Sequence, residues 1–263
     1  MQISDSTVLI TGATGGIGHA IARAFAARGA NLILTGRRSE ILVPLGAELG
    51  ARAMSVDLSS TVELDRFISE VGDVDILVAN AALPGTGTLD SFTMEEIDRA
   101  LAVNLRAPIA LAHGLSPAMI ARRSGHLVFI SSLNGKAATP QTSIYNATKF
   151  GLRGFASAIR ADMRPHGVGV STIFPGFIRD AGIFADSGTK LPPGVGTRSP
   201  EDVARATIRA IEHNRAEIDV APLGLRLGSA FAGLAPELAT NLSRHLGAEK
   251  IAGELAAANM SKR

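Results

Sequence analysis

Cysteine is absent from the 263 residues, which removes disulfides and thiolate metal sites and suits a reducing compartment. No metal centre is expected. Charge of one sign is missing as well: 26 Lys and Arg stand against 24 Asp and Glu, a formal +2. These charges are mixed along the chain. The pI of about 9.3 therefore reflects near balance, and no basic stripe is offered to nucleic acid. Long apolar runs are lacking too; none approaches the roughly 18 residues of a membrane-crossing helix. The chain enters strand-like sequence at Thr7 without the charged and apolar regions of a signal peptide, so a cytoplasmic location is expected. Aromatic residues make up only 4%, and tyrosine occurs once, as Tyr145.

What is present is a core-forming composition, 46% hydrophobic and 19% charged, too apolar for a disordered chain. Runs rich in Val, Ile and Leu recur at Thr7–Thr11, Asn31–Thr35, Arg52–Val56, Ile76–Ala79, His126–Ser131, Gly169–Phe174 and Glu217–Ala221. They are largely apolar on both faces, as suits strands of a parallel sheet covered by helices on each side. Helical stretches separate them. Ile17–Arg28 aligns Ile17, Ile21, Ala24 and Phe25 on one face. Thr93-Met-Glu-Glu96 reads as a capping box, and Ser199-Pro-Glu-Asp202 offers a cap followed by an N1 proline. Strand then helix, repeated about six times, predicts a doubly wound α/β fold with about seven strands.

Two stretches break this alternation. Residues 181–199 carry Gly182, Gly188, Pro192, Pro193, Gly194 and Gly196 just after the sixth strand. Ligands bind at the carboxyl ends of such strands, so a substrate lid is expected there, with a plain surface connection as the alternative. Phe177, Ile183, Phe184 and Leu191 suit either an apolar substrate or an anchored lid. The Leu/Ala-rich tail, residues 223–263, predicts amphipathic helices. Its basic residues gather on no single face, which favours packing on the domain or a subunit neighbour over a membrane surface. The expected division is thus a dinucleotide-binding catalytic domain at 1–222 and a helical extension at 223–263.

Thr11-Gly-Ala-Thr-Gly-Gly-Ile-Gly18 lies between the first strand and the first helix. Gly12 allows a tight turn, Gly16 a close approach of backbone to a pyrophosphate, and Gly18 close helix–strand packing. A helix starting near Ile17 would aim free N–H groups at that phosphate; a purely structural turn is the alternative. An acid ending the second strand would bind the ribose 2′-OH of NAD. Here Gly36 stands at that point, followed by Arg37 and Arg38. Guanidinium forks suit the 2′-phosphate of NADP, so NADP(H) is favoured over NAD(H), against a pair of solvated arginines. Asp57 is placed for the adenine edge, with a helix N-cap as its competing role.

Tyr145 sits in Ser143-Ile-Tyr-Asn-Ala-Thr-Lys149. On a helix, Tyr145 and Lys149 share one face at i and i+4. A nearby ammonium favours tyrosinate and would lower the phenol's pKa, fitting it for proton transfer. The plain reading is a core tyrosine with its hydroxyl at the rim. Ser132 ends the fifth strand, where a hydroxyl could hold a substrate oxygen or simply serve a turn. Asn104, polar in an apolar helix, either caps a kink or holds a water that relays protons to Lys149.

With Thr-Gly-x-x-x-Gly-x-Gly at Thr11–Gly18 and Tyr-x-x-x-Lys at Tyr145–Lys149, the chain resembles the short-chain dehydrogenase/reductase family. Asp57, Asn80 in Ala79-Asn-Ala-Ala82, Asn104, Ser132 and Pro175-Gly176 follow in the family's order, over roughly residues 5 to 222. The resemblance implies a Rossmann-type fold and a carbonyl–alcohol oxidoreductase acting on a small molecule. It implies Tyr145 as acid/base, Ser132 as the group that positions the carbonyl, Lys149 as a ribose contact and Asn104 as relay support. Asn80 would steady the fold beside the cofactor. The cofactor set it implies is Gly12, Thr14, Gly15, Gly16, Ile17, Gly18, Arg37, Arg38, Asp57, Leu58, Asn80, Ala81, Tyr145, Lys149, Pro175, Gly176 and Ile178. A homodimer or homotetramer is expected. Departures are Ala82 where the family has glycine, and Asp180 where a threonine commonly meets the nicotinamide amide. A non-catalytic NADP(H)-binding sensor or scaffold is the rival reading. A nucleotide-sugar epimerase would need a longer chain.

Overall fold

Seven parallel strands form one sheet in the order β3-β2-β1-β4-β5-β6-β7 in this computed structural model. It describes residues 1–185, 187–189, 191, 195–245 and 248–260. The strands are β1 (Thr7–Thr11), β2 (Asn31–Gly36), β3 (Arg52–Ser55), β4 (Ile76–Ala79), β5 (Gly125–Ile130), β6 (Val168–Pro175) and β7 (Glu217–Val220). Helices α1 (Gly16–Ala26), α2 (Ser39–Leu49), α3 (Thr61–Glu70), α4 (Met94–Leu101), α5 (Ala107–Ala121) and α6 (Ser143–Met163) make the first crossovers. After β6 come a short α7 (Gly182–Ala185) and α8 (Pro200–Glu212). Past β7 the chain continues as α9 (Leu223–Leu234), α10 (Pro236–His245) and α11 (Ala248–Asn259).

Alternation along each strand separates two cores. Val8 and Ile10 of β1, Ile76 and Val78 of β4, and Val128 and Ile130 of β5 pack with Ile21 and Phe25 of α1 and Val203 and Ile211 of α8. The intervening Leu9, Leu77, Leu127 and Phe129 face the opposite layer, with Phe67 of α3, Leu115 of α5 and Leu152 of α6. Strands buried on both faces need apolar side chains at every position, which explains their unbroken Val/Ile/Leu runs. The sequence-based Rossmann-type expectation holds, with helices on both faces. β3 departs from the expected apolar pattern because it is the sheet edge, with Arg52, Ala53 and Ser55 exposed. Arg52 instead donates to the carbonyls of Val71 (3.1 Å) and Glu70 (3.2 Å), where a cation suits the carboxyl end of α3.

Helix starts follow the sequence signals. Thr93 and Glu96 form a reciprocal capping box, as do Ser199 and Asp202 with Pro200 in the first turn. The chain runs outward through β1, β2 and β3, then returns to place β4 on the other side of β1. That reversal leaves a crevice at the carboxyl ends of β1 and β4, where doubly wound sheets bind ligands. Among the described residues, no helix is long and apolar enough to cross a membrane.

Candidate active site

The turn from β1 into α1 is held by contacts that leave no room for side chains. Gly12 has φ +65°, and a Cβ there would lie 2.7 Å from the Ala81 Cα. At Gly18 it would strike the Gly12 carbonyl, so this glycine packs the helix onto its own turn. Asn80 fixes the turn from the side, donating to the carbonyls of Thr11 (3.0 Å) and Gly12 (3.2 Å). The Thr11 hydroxyl in turn accepts from the backbone N–H groups of Asn80 and Ala81. Gly16 borders the cleft and meets a further demand for glycine from the segment after β6. A Cβ at Gly16 would strike the Ala181 methyl at 2.5 Å, whereas Gly15 meets only the Gly12 carbonyl at 3.6 Å. Gly16 therefore accommodates the segment after β6, and Gly15 presents the more open face. α1 begins without a side-chain cap and without an acid in its first turn. Its positive end is left to whatever anion enters the crevice.

At the end of β2, a Cβ on Gly36 would lie 2.8 Å from the Thr14 methyl. Arg38 donates to the Thr14 carbonyl (2.6 Å), so this guanidinium also braces the turn. Arg37 is exposed and, among the described residues, has no hydrogen-bond partner. Asp57 accepts from the Ser59 N–H (2.9 Å) and hydroxyl (2.7 Å). The N-cap of α3 is Ser60, so Asp57 does not serve as the helix cap weighed for it. Burial pushes the Asp57 carboxyl up, but the Ser59 hydrogen bonds and the charges of Arg37 and Arg99 outweigh it and hold the acid below its usual range.

Tyr145 lies in the first turn of α6, its backbone N–H bonded to the Gly85 carbonyl (3.2 Å). Its phenol interacts with the Ser132 hydroxyl. Lys149, 2% exposed, donates to the Ile130 carbonyl (3.0 Å) and sits 5.5 Å from the Tyr145 ring centroid. The expectation that Lys149 lowers the phenol's pKa is not met. Burial pushes Tyr145 up to about 12, with the Ser132 hydrogen bond pulling the other way. Burial likewise brings Lys149 down to about 8. The apolar setting resists charge on either group.

Ser132 is held by Asn134, which the sequence reading missed. Ser132 Oγ accepts from the Asn134 N–H (3.2 Å), and Asn134 Nδ2 donates to Thr139 Oγ1 (2.9 Å) and Asn146 Oδ1 (2.8 Å). Its spacing of two from Ser132 was the available signal. Asn104 is buried completely and lies in a π-helical segment, Ala102–Arg106, between α4 and α5. Its amide accepts from the Leu83 N–H (2.7 Å) and donates to the Leu83 carbonyl (2.9 Å). Its side chain clamps the loop after β4, reaches the Thr148 hydroxyl (3.5 Å) and does not border the cleft.

These parts surround one cleft of about 1040 Å³. Every residue of the expected cofactor set borders it, as does Ser132; Asn104 alone stands behind. Asp180, the departure where a threonine commonly meets the nicotinamide amide, is placed elsewhere. It has φ +66° and pairs with Arg179 (3.4 Å) on the surface, facing away from the cleft. Of the segment expected as a lid, Ala181, Gly182, Ile183 and Phe184 border the cleft, with the rings of Phe184 and Phe177 5.0 Å apart. Pro192, Pro193 and Gly194 lie outside the described residues. The largest omission in the sequence reading is the tail. α9, α10 and α11 all contribute walls, through Leu225, Phe231, Ala239 and Leu255 among others, and Asn259 Nδ2 bonds the Ile183 carbonyl (3.2 Å). No group of three or more His, Asp or Glu able to hold a metal occurs among the described residues.

Comparison with known proteins agrees with this geometry. A family model described as short chain dehydrogenase matches residues 6–191. Dehydrogenase/reductase SDR family member 7B of Xenopus tropicalis is 34% identical over 259 residues, covering 90% of this chain and 84% of that protein. Ketoacyl reductase HetN of Nostoc sp. is 32% identical over 227 residues, covering 83% of this chain and 79% of that protein. Among solved structures, a short-chain dehydrogenase from Sphingobium yanoikuyae in complex with NADPH superposes with a TM-score of 0.77 at 28% identity, over 89% of this chain and 94% of that one.

Proposed function

Because the chain belongs to the short-chain dehydrogenase family, an oxidoreductase family, we propose that it interconverts a carbonyl and an alcohol with NADP(H), using Tyr145 as the proton-transfer residue. The observation that carries this reading is the Tyr145 phenol set against the Ser132 hydroxyl and the buried Lys149, in the same cleft as the uncapped start of α1. In this reading residues 1–222 form the catalytic unit with 181–199 as its lid, and the described part of the 223–263 extension completes the cleft.

The residues fit a dinucleotide on two grounds. The first-turn amides of α1 are free of side-chain caps, and Gly15 leaves open space above the turn. Arg37 supplies a cation with no hydrogen-bond partner among the described residues at the end of β2, where Gly36 stands in place of the acid that would repel a 2′-phosphate. The NADPH complex of the Sphingobium relative supports the same preference. When bound, the nicotinamide supplies or accepts the hydride. The chain's own groups handle the rest. Ser132 holds the substrate oxygen, and Tyr145, protonated throughout the neutral range, delivers a proton to it in the reductive direction. Lys149 places a cation under the phenol to offset charge left on it.

Replacing Tyr145 with Phe tests this. Turnover should fall by about 100- to 10,000-fold, while NADPH binding, read by fluorescence titration, stays within a few-fold of wild type. Retained turnover would remove Tyr145 from the reaction.

A further inference from the structure

The half of the cleft beneath the C-terminal helices differs in chemistry from the half beside α1. Among the described residues, every charged side chain bordering the cleft belongs to Arg37, Arg38, Asp57, Arg99 or Lys149. The walls built from 132–142 and from 176 onward carry none, and offer Leu133, Phe177, Phe184, Leu225, Phe231 and Leu255. An ionised substrate would lose hydration there without gaining a counter-charge.

α9 adds a more specific sign. Gly224 and Gly228, one turn apart, both border the cleft, and a Cβ on either would meet nothing within 4 Å. Glycine weakens a helix interior, and neither position has a close neighbour that demands it. Their bareness widens the cleft. Asn259 supplies the second sign. Fully buried and bordering the cleft, it spends its Nδ2 on the carbonyls of Ile183 (3.2 Å) and Leu255 (2.9 Å). Turning the amide over would set oxygen against two carbonyls, so its orientation is fixed. Its Oδ1 is left buried and without a partner among the described residues. Buried acceptors are normally satisfied, and an unpaired one on a residue that borders a ligand cleft is the nearest acceptor for a ligand's donor.

Resting on the oxidoreductase reading, we propose that α9 and α11 hold the body of a large, uncharged, apolar ketone or its alcohol, and that Asn259 Oδ1 accepts a hydrogen bond from a hydroxyl on that body. The bare face at Gly224 and Gly228 admits its bulk. Small or anionic carbonyl compounds leave both features unused.

Three NADPH-linked probes test this on the full chain: butanone, a steroid-sized ketone with a distal hydroxyl, and its deoxy analogue. Wild type should favour the large ketones over butanone in kcat/KM, and the hydroxylated one over the deoxy by about five- to tenfold. Gly228→Phe, which should keep or raise the thermal midpoint, should cut the large-to-small ratio by at least about tenfold. Asn259→Leu should bring the hydroxyl-to-deoxy ratio close to one. A purely structural role for Asn259 would slow both large ketones alike and leave that ratio intact, overturning its assignment. An unchanged large-to-small ratio in Gly228→Phe would overturn the role of α9. If wild type reduces no ketone with either nicotinamide, the oxidoreductase reading fails separately. Calorimetric binding of the large ketones to wild type and Gly228→Phe then decides the wall, with equal affinity counting against it.

Discussion

Lys149 is a cation with almost no water around it, and its one backbone hydrogen bond, to the Ile130 carbonyl, does not replace full hydration. Burial lowers its pKa from 10.5 to about 8. At pH below 8 the folded protein bears the whole cost of that buried charge. As pH rises from 8 towards 10.5 the folded amine sheds its proton first, and the cost is relieved. Lys149→Met should therefore raise stability near neutral pH, on the order of 1–3 kcal/mol, while turnover falls. Thermal midpoints across pH should show this advantage shrinking at alkaline pH; a constant gap would contradict the buried-charge account. Tyr145 has the opposite sign of shift. Its neutral form persists up to about 12, so ketone reduction should change little with pH, whereas alcohol oxidation should climb through the alkaline range. Parallel profiles in the two directions would contradict this. The arginines divide their work. Arg38 braces the Thr14 carbonyl, while Arg37 has no hydrogen-bond partner among the described residues. Arg37→Glu should shift the NADPH/NADH ratio of kcat/KM by about 10- to 100-fold towards NADH. Steady-state kinetics with both cofactors measures it, and an unaltered ratio would rule out the phosphate contact. Gly36→Asp is a poorer probe because its Cβ would press on Thr14.

Elements were the most legible scale. The inner strands β1, β4 and β5 could be placed from Val/Ile/Leu runs because a parallel sheet buried on both faces writes that pattern directly, whereas the edge strands β3 and β7 carry it less clearly. Thr93–Glu96 and Ser199–Asp202 announced their helices because capping is a local contest between a side chain and nearby N–H groups. What escaped notice depends on distant partners. The π-helical segment Ala102–Arg106 coincides with the clamp of Asn104 on Leu83, a contact between residues far apart in sequence. The direction of Asp180 follows from a left-handed backbone that its sequence does not advertise. The covering of Gly16 by Ala181, and the walls from α9 to α11, likewise required the chain to be folded first. Asn104 makes the point testable. Asn104→Leu keeps the branched shape but strands the buried N–H and carbonyl of Leu83, each costing about 1–3 kcal/mol. Urea unfolding should report a loss of about 2–5 kcal/mol. A neutral result would mean that Leu83 finds other partners.

Across the whole molecule, the residues around Tyr145 are tied to the far edge of the sheet by one ionic cluster. Lys136, just past the turn that carries Ser132 and Asn134, bridges Glu217 (2.9 Å) and Asp219 (2.6 Å) on β7. Its ammonium also lies 4.1 Å from the Phe174 ring centroid on β6. Arg153 of α6 grips the same Glu217 through two nitrogens, at 2.8 and 3.2 Å. The Ser132 turn, the helix bearing Tyr145 and the strand that leads into α9 thus share a single set of charges. Lys136 is only 14% exposed and its partners 29% and 18%, so screening is modest. Removing the cation leaves two half-buried acids side by side. Lys136→Met should cost about 2–4 kcal/mol. The pH dependence distinguishes this from lost packing. Burial pushes the Glu217 carboxyl up, but Arg153 and Lys136 together hold it below its ordinary 4.5. A depressed acid contributes stability above its unfolded pKa and loses it as pH falls through the lower folded value. Wild type should therefore lose this contribution only below about pH 4.5. Without Lys136 the Glu217 carboxyl loses one of the two cations that hold it down, and the deficit of the variant should narrow as pH falls and that carboxyl is protonated. Chemical denaturation from neutral to acidic pH measures that deficit. A deficit that does not vary with pH would assign the loss to packing against Phe174 and leave the proposed coupling between the Ser132 turn and β7 without support.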